Sequence, residues 1–346
     1  MSTVLHYYRG RVALHAILEG LHARPGDEVV VQAYTCAAVV EPLLRMGLRP
    51  VYADIDPATF GPDPAAVRAA VGPRTRAVIV QHTFGIRAAV PAVGVPVIED
   101  CAHTVPGTID SSGSAAAFYS FEWGKPVVAG LGGTAVVHDP GLAAAMSEGY
   151  GRYTTPPARR EMITEAEYAA FRLVSGAGVL WRMRALYRRL AGMGVVTGSY
   201  ATDPWGGPEY GWRMSRGTRM RLPSRIAAGR AGLGRRRRVA NAYRQALGVD
   251  LPGVPHRFPV AVADKQRALR DAAAAGLELG DWFATPVHPL AGADLAGAGY
   301  RAGSCPRAEW AAAHVVTCPV RASTRPETVA RAAAVLARLE PVVSHA

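Results

Sequence analysis

Two lysines occur among the 346 residues, against 37 arginines, and one of them stands where an amine could react. Lys125 lies in Ser120-Phe-Glu-Trp-Gly-Lys-Pro-Val-Val-Ala-Gly-Leu-Gly-Gly133, between a strand-like run, Ala115–Ser120, and another, Thr134–Val137. The glycines allow positive φ and close approach of backbone to a ligand. A lysine desolvated at such a turn has its lone pair available for a Schiff base. The plainer role of the same residue is a surface lysine in a β-turn. Asp100 ends the apolar run Pro96–Asp100. A carboxylate there is costly to bury unless it meets a cation, such as a pyridinium nitrogen, or several donors; equally, it could cap the next helix. His103 could pair with a ligand hydroxyl or pack in the core. Gly10 and Arg11 open a helical run from Gly10 to about Leu21. A helix N-terminus offers free N–H groups to an anion, and Arg11 either adds to that or sits exposed in the first turn.

The elements that must position these residues alternate along the chain. Apolar, β-branched runs at Val29–Val31, Pro50–Asp54, Arg76–Val80 and Pro96–Asp100 are separated by helical segments, one of them Ala37–Met46. That alternation predicts an α/β fold with a mostly parallel sheet buried on both faces. Ligands bind beyond the C-terminal ends of such strands, where Tyr34-Thr35-Cys36, His82-Thr-Phe-Gly85 and Asp100–His103 fall. From Gly151 to Arg216 the pattern changes. Arg159–Gly194 reads as one or two basic amphipathic helices, for packing on the body, on a second subunit or on a membrane surface. Gly198–Gly211 reads as a loop. A long helix from about Pro223 to Leu247 links to a small α+β unit: strand Phe258–Val262, helix Asp264–Gly276, strand Val315–Cys318 and closing helix Pro326–Leu339. The expected division is a large α/β domain over 1–230, with 151–216 as a helical insert, and a linking helix with a small domain over 231–346.

Composition narrows the class. With 49% hydrophobic and 19% charged residues, the chain is an ordinary globular mix long enough for a large core. The net charge is +12. An arginine excess of this kind suits anionic ligands or reflects a GC-rich genome. Outside Arg235–Arg238 the charge is dispersed, and no aromatic-basic nucleic-acid motif appears, so no nucleic-acid partner is expected. Cys36, Cys101, Cys305 and Cys318 lack metal or disulfide spacing. No signal peptide and no run near 20 apolar residues occur, which predicts a cytoplasmic protein with no membrane span.

In this order the pieces resemble the DegT-type sugar aminotransferases, pyridoxal-phosphate (PLP) enzymes of fold type I. The matching stretches are Gly10–Leu14, Pro25–Val31 with Tyr34-Thr35, Pro50–Asp56, His82–Gly85, Val97–His103, and Ser120–Lys125 with Gly132-Gly133. Downstream they are Gly217–Arg221 with Ile226–Ala228, Val287-His-Pro289 and Thr317–Val320. The resemblance implies a large domain with a mostly parallel seven-stranded sheet and a small C-terminal domain. It implies an aminotransferase that moves an amino group, from glutamate or a similar donor, to a keto-sugar or keto-cyclitol, nucleotide-linked. Lys125 would form the Schiff base and shuttle protons, Asp100 would hold the pyridine N–H, and His103 would lie beside the ring. Ser120, Gly10 and Arg11 would hold the phosphate, with Thr35 and Cys36 at the cofactor. Arg219 stands near the position of an asparagine that reaches the phosphate from the partner subunit, which implies a homodimer with shared active sites. Three positions depart from the family pattern: Arg11 replaces a threonine, Cys36 a stacking aromatic and Arg219 that asparagine. Other PLP chemistry (elimination, decarboxylation or cyclisation) and a non-catalytic partner subunit are the alternatives.

Overall fold

A computed structural model describes residues 2–176 and 207–338. Seven strands form the central sheet: β1 (Thr3–Tyr7), β2 (Glu28–Gln32), β4 (Arg49–Ala53), β5 (Thr75–Gln81), β6 (Val97–Asp100), β7 (Ala116–Ser120) and β8 (Gly133–Val137), in the order β1-β8-β7-β6-β5-β2-β4. From β7 to β4 every pairing is parallel; β7–β8 and β8–β1 are antiparallel. The expected mostly parallel, seven-stranded sheet is therefore what forms. Its inner strands are nearly all buried, as apolar runs without alternation require when helices cover both faces.

Helix α1 (Gly10–Gly20) packs on β7 and β8 and buries Val12, Ala13, Leu14, Ile17 and Leu18. Helices α2 (Ala37–Arg45), α3 (Pro64–Ala70) and α4 (Pro140–Tyr150) follow. Cys36 caps α2, its sulfur accepting from the Ala38 N–H at 3.5 Å. Its neighbour makes a short strand β3 (Thr35–Cys36) that pairs in parallel with β10 (Val287–His288). The Val287-His-Pro289 stretch thus docks beside Cys36.

Helix α5 (Ala158–Gly176) opens the helical stretch expected over Arg159–Gly194, but its three arginines are balanced by three glutamates, so this helix is not basic. The rest of that stretch, and most of the Gly198–Gly211 loop, fall in 177–206, outside the described residues. The single long helix expected from Pro223 is two: α6 (Arg216–Ala231) and α7 (Leu233–Leu247), broken at Gly232. The start moves upstream because Ser215 caps the helix through Thr218 N–H, leaving Pro223 inside it. Strands β9 (Arg257–Ala261) and β11 (Val315–Pro319) pair antiparallel. Helices α8 (Lys265–Ala274), α9 (Gly292–Gly297), α10 (Pro306–His314) and α11 (Pro326–Leu336) complete the chain. Phe258, Val260, Val315, Val316 and Cys318 share one buried cluster with Tyr34, Phe84 and Tyr243, so the C-terminal strands rest against the loops at the ends of β2 and β5. No helix among the described residues is long and apolar enough to cross a membrane.

Candidate active site

Because β6, β5 and β2 are neighbours, the segments following them converge on one cleft, open on one side and holding about 930 Å³ of empty space with open solvent included. Lys125, Asp100, His103, Ser120, Gly10, Arg11 and Cys36 all line it. Thr35 does not: it is buried beneath, its hydroxyl donating to Gln81 Oε1 at 2.6 Å, and Gln81 in turn faces the cleft. Arg219 lies exposed on α6, away from the cleft of its own chain.

Asp100 is 4% exposed. Oδ1 accepts the Ala102 N–H at 2.9 Å; Oδ2 accepts no hydrogen bond among the described residues. Burial pushes the carboxyl up, and the positive charge of Lys125 only partly offsets this. A buried acid held by one N–H and facing a cleft is a fitting partner for a cationic ring N–H.

His103 is fixed from behind. The chain turns at Phe84 and Gly85, both with positive φ (57° and 83°), and the Phe84 N–H donates to His103 Nδ1 at 3.2 Å. A Cβ at residue 85 would come 2.6 Å from the His103 carbonyl oxygen, so only glycine fits that turn. With Nδ1 accepting, Nε2 carries the proton of the neutral ring. Burial, then the charges of Lys125 and Arg257, hold the imidazole well below its ordinary pKa. His82, from the same motif, serves the core instead: Nε2 donates to Glu99 Oε2 at 2.7 Å, and Nδ1 accepts the Ala88 N–H at 3.2 Å.

At the other end, α1 opens at Gly10 without a side-chain cap. Its first residues face the cleft beside Ser120, whose hydroxyl makes no hydrogen bond among the described residues. A Cβ on residue 10 would stand 2.9 Å from Ser120 Cβ, so the missing side chain is what brings the helix end against this hydroxyl. Uncapped N–H groups, the helix dipole and a hydroxyl make a cradle for a phosphate. The Arg11 side chain is engaged with the Glu41 carboxylate, which also accepts from Tyr210 Oη at 3.0 Å. Burial alone would lower the Arg11 pKa, but Glu41, Glu122 and Glu209 outweigh it and keep the guanidinium charged. Arg9 lies 3.6 Å from Glu122 and 3.2 Å from Glu209. The residues present thus fit PLP: an acid for the ring nitrogen, an amine, and a backbone-and-hydroxyl cradle.

Several lining residues carry no signal in sequence. Trp123 packs on α5, 4.8 Å from the Phe171 ring and 6.3 Å from Tyr168. Trp282 lies under the Arg257 guanidinium at 4.4 Å, and Phe283 faces His103. His256 enters from the residue before β9. Arg235–Arg238 are only in part a solvated face: Arg236 is half-buried and donates to the Pro126 carbonyl at 2.7 Å. Arg221 and Arg225 of α6 hold the Ala129 and Val128 carbonyls at 2.7 and 3.1 Å.

The DegT/DnrJ/EryC1/StrS aminotransferase family matches residues 4–163. The match takes in a little under half of the chain. It carries β1 to β8, α1 and the whole Asp100–Ser120–Lys125 set. The chain is 36% identical over 151 residues to the UDP-2-acetamido-2-deoxy-3-oxo-D-glucuronate aminotransferase of Pseudomonas aeruginosa, covering 40% of this chain and 42% of that protein. It is 35% identical over 145 residues to the L-glutamine:scyllo-inosose aminotransferase of Streptomyces griseus, covering 39% and 34%. The chain thus spans well under half the length of the curated relatives it matches. The fold is alike over a longer range. The crystal structure of S. venezuelae DesV, in complex with a ketimine intermediate, superposes with a TM-score of 0.69 at 24% identity, over 97% of this chain and 84% of that one. The likeness in fold thus extends over 97% of this chain, well beyond the matched residues 4–163.

Proposed function

We propose that this chain is a PLP-dependent aminotransferase that moves an amino group from an amino acid, such as glutamate, to a keto-sugar or keto-cyclitol, nucleotide-linked. The observation that carries the reading is the placing of Lys125, the under-bonded acid Asp100 and the α1–Ser120 cradle around one cleft. Bound there, PLP supplies an electron sink for the carbon that bears the amino group. Asp100 would accept the ring N–H and keep its charge. His103 would donate Nε2–H beside the ring. Ser120 Oγ and the first N–H groups of α1 would hold the phosphate, while Arg11 stays with Glu41. Lys125 Nζ would anchor the cofactor and then carry the proton between carbons. The relatives act on a UDP-linked oxo-sugar and on scyllo-inosose by name, which supports a polyhydroxy ketone as acceptor. Arg219, exposed and not lining its own cleft, would serve that of a second copy in a homodimer.

The test is the visible spectrum of the purified protein with PLP, before and after glutamate, beside Lys125→Ala. The expected result is a band that bleaches with glutamate and is missing in the variant. A band that ignores amino donors would move the reading to other PLP chemistry. No band in the parent protein would refute it and leave a non-catalytic partner subunit.

A further inference from the structure

Lys125 stands in an irregular segment between β7 and β8, where a side chain is only as well placed as the backbone beneath it. That backbone is held on both sides by residues of the C-terminal half. The carbonyl of Gly124, preceding the lysine, accepts from His256 Nε2 at 2.7 Å. The carbonyl of Pro126, following it, accepts from an Arg236 Nη at 2.7 Å. A carbonyl oxygen can only accept, so His256 Nε2 bears the proton and Nδ1 is bare. Nδ1 is buried and has no hydrogen-bond partner among the described residues, so nothing competes for the other tautomer. Burial, with Arg257, Arg236 and Lys125 facing the ring, keeps it neutral. The ring is anchored in turn, since the His256 backbone N–H donates to the Phe84 carbonyl at 2.6 Å, on the turn that fixes His103.

We propose that His256 and Arg236 are positioning residues that bracket Lys125 and aim its amine into the cleft. The bracket ties the reacting lysine to β9 and α7, so its aim depends on how the C-terminal strands sit against the sheet. Gly124 has φ 80° and sits exposed at the tip of the turn, so without the imidazole nothing else among the described side chains holds its carbonyl. The idea rests on the aminotransferase reading only for what the aimed amine does.

The chain's two lysines make the test direct. Reductive methylation with formaldehyde and cyanoborohydride, followed by peptide mass spectrometry, reads Lys125 against Lys265. Lys265 is an internal reference, buried with Nζ on the Phe283 and Ala312 carbonyls at 2.9 and 2.8 Å. His256→Leu and Arg236→Met are each expected to raise the Lys125 rate about three-fold or more relative to Lys265, as a released turn swings the amine to solvent. In the same variants the visible band with PLP should develop more slowly by a similar factor. His256→Gln, whose amide N–H can reach the Gly124 carbonyl, should restore both rates. A general loosening would raise both lysines together and would overturn the proposal, as would an unchanged Lys125 rate or a Gln variant no better than Leu. Failure of the parent protein to form a Lys125-dependent band would instead sink the aminotransferase reading, because methylation reports on Lys125 without cofactor.

Discussion

Acid should weaken this fold in a window set by histidines rather than carboxylates. His103 and His256 are both held well below the ordinary histidine pKa of 6.5, first by burial and then by the cations around the cleft. In the unfolded chain they take up protons as pH falls through about 6.5; in the folded chain they do not. The unfolded state then binds more protons, so stability drops as pH drops. For one such group the loss between about pH 7.5 and pH 5.5 is about 1.4 kcal/mol. Two give an upper figure of about 2.7 kcal/mol, and on the order of 2 kcal/mol once their contact with cleft water is discounted. The acids whose pKa is lowered, Glu19, Asp63, Glu99 and Asp110, lose their contribution mainly below about 4.5, outside this window. Asp100 and Glu41, raised by burial, take up protons more readily in the folded chain and act with the opposite sign, so about 2 kcal/mol is the ceiling of the loss. His6, lowered by burial and Arg219, adds a smaller slope of the same sign. The assay is denaturant unfolding of the PLP-free protein across that range, beside a His103→Asn, His256→Gln double variant. The double variant should lose most of the slope. A parent protein of constant stability from pH 7.5 to 5.5, or an equal slope in the variant, would refute the argument.

Asp54 ends β4 and accepts three backbone N–H groups, those of Ile55 (2.9 Å), Arg307 (3.0 Å) and Ala308 (2.9 Å), so it caps α10 from across the chain. Asp54→Ala should cost roughly 2–4 kcal/mol in thermal or denaturant unfolding, and near-equal stability would show that water replaces it. Glu41→Gln leaves Arg11 buried without its nearest counter-charge, a loss of about 3 kcal/mol in the PLP-free protein. Inorganic phosphate should restore part of that in a thermal shift, more than it stabilises the parent; equal shifts in the two proteins would mean that Arg11 does not turn to the cradle.

The sheet was legible because apolar runs such as Val29–Val31 and Ala77–Val80 are buried on both faces and show no alternation. Lys125 and Asp100 were legible because a reactive amine and a buried acid are rare at strand ends. His256 was not, since a histidine before Arg-Phe-Pro-Val carries no pattern; its role exists only once β9 is folded against the Gly124 turn. The edge strand β1 also lacked a signal, being half-buried and paired with a strand far along the chain. Pro223 pointed to a helix start, and Ser215, the residue whose side chain accepts the first-turn N–H, pointed to the true one. An interior proline costs about 3 kcal/mol, more than one cap of about 1 kcal/mol returns; the burial of Thr218 and Leu222 and the bonds of Arg221 and Arg225 to the Ala129 and Val128 carbonyls also hold this part of the helix.

The arginine excess has a structural reading that composition alone did not offer. Arg221, Arg225 and Arg236 of α6 and α7 each donate to a carbonyl of the segment from Pro126 to Ala129, and Arg230 donates to the Pro106 carbonyl at 2.8 Å. A segment with little regular structure leaves its carbonyls without ladder partners, and buried carbonyls must find donors. Guanidinium groups reach them from a distance with several N–H donors each, which lysine does with one compact charge. Three of the ten arginines on these two helices thus serve the loop that carries the reacting lysine. What remains for an anionic substrate is the part of the arginine charge that lines the cleft, Arg11 and Arg257, and these already face the carboxylates Glu41 and Glu278. The net +12 is then a weak guide to the ligand, and the geometry around Lys125 and Asp100 a stronger one.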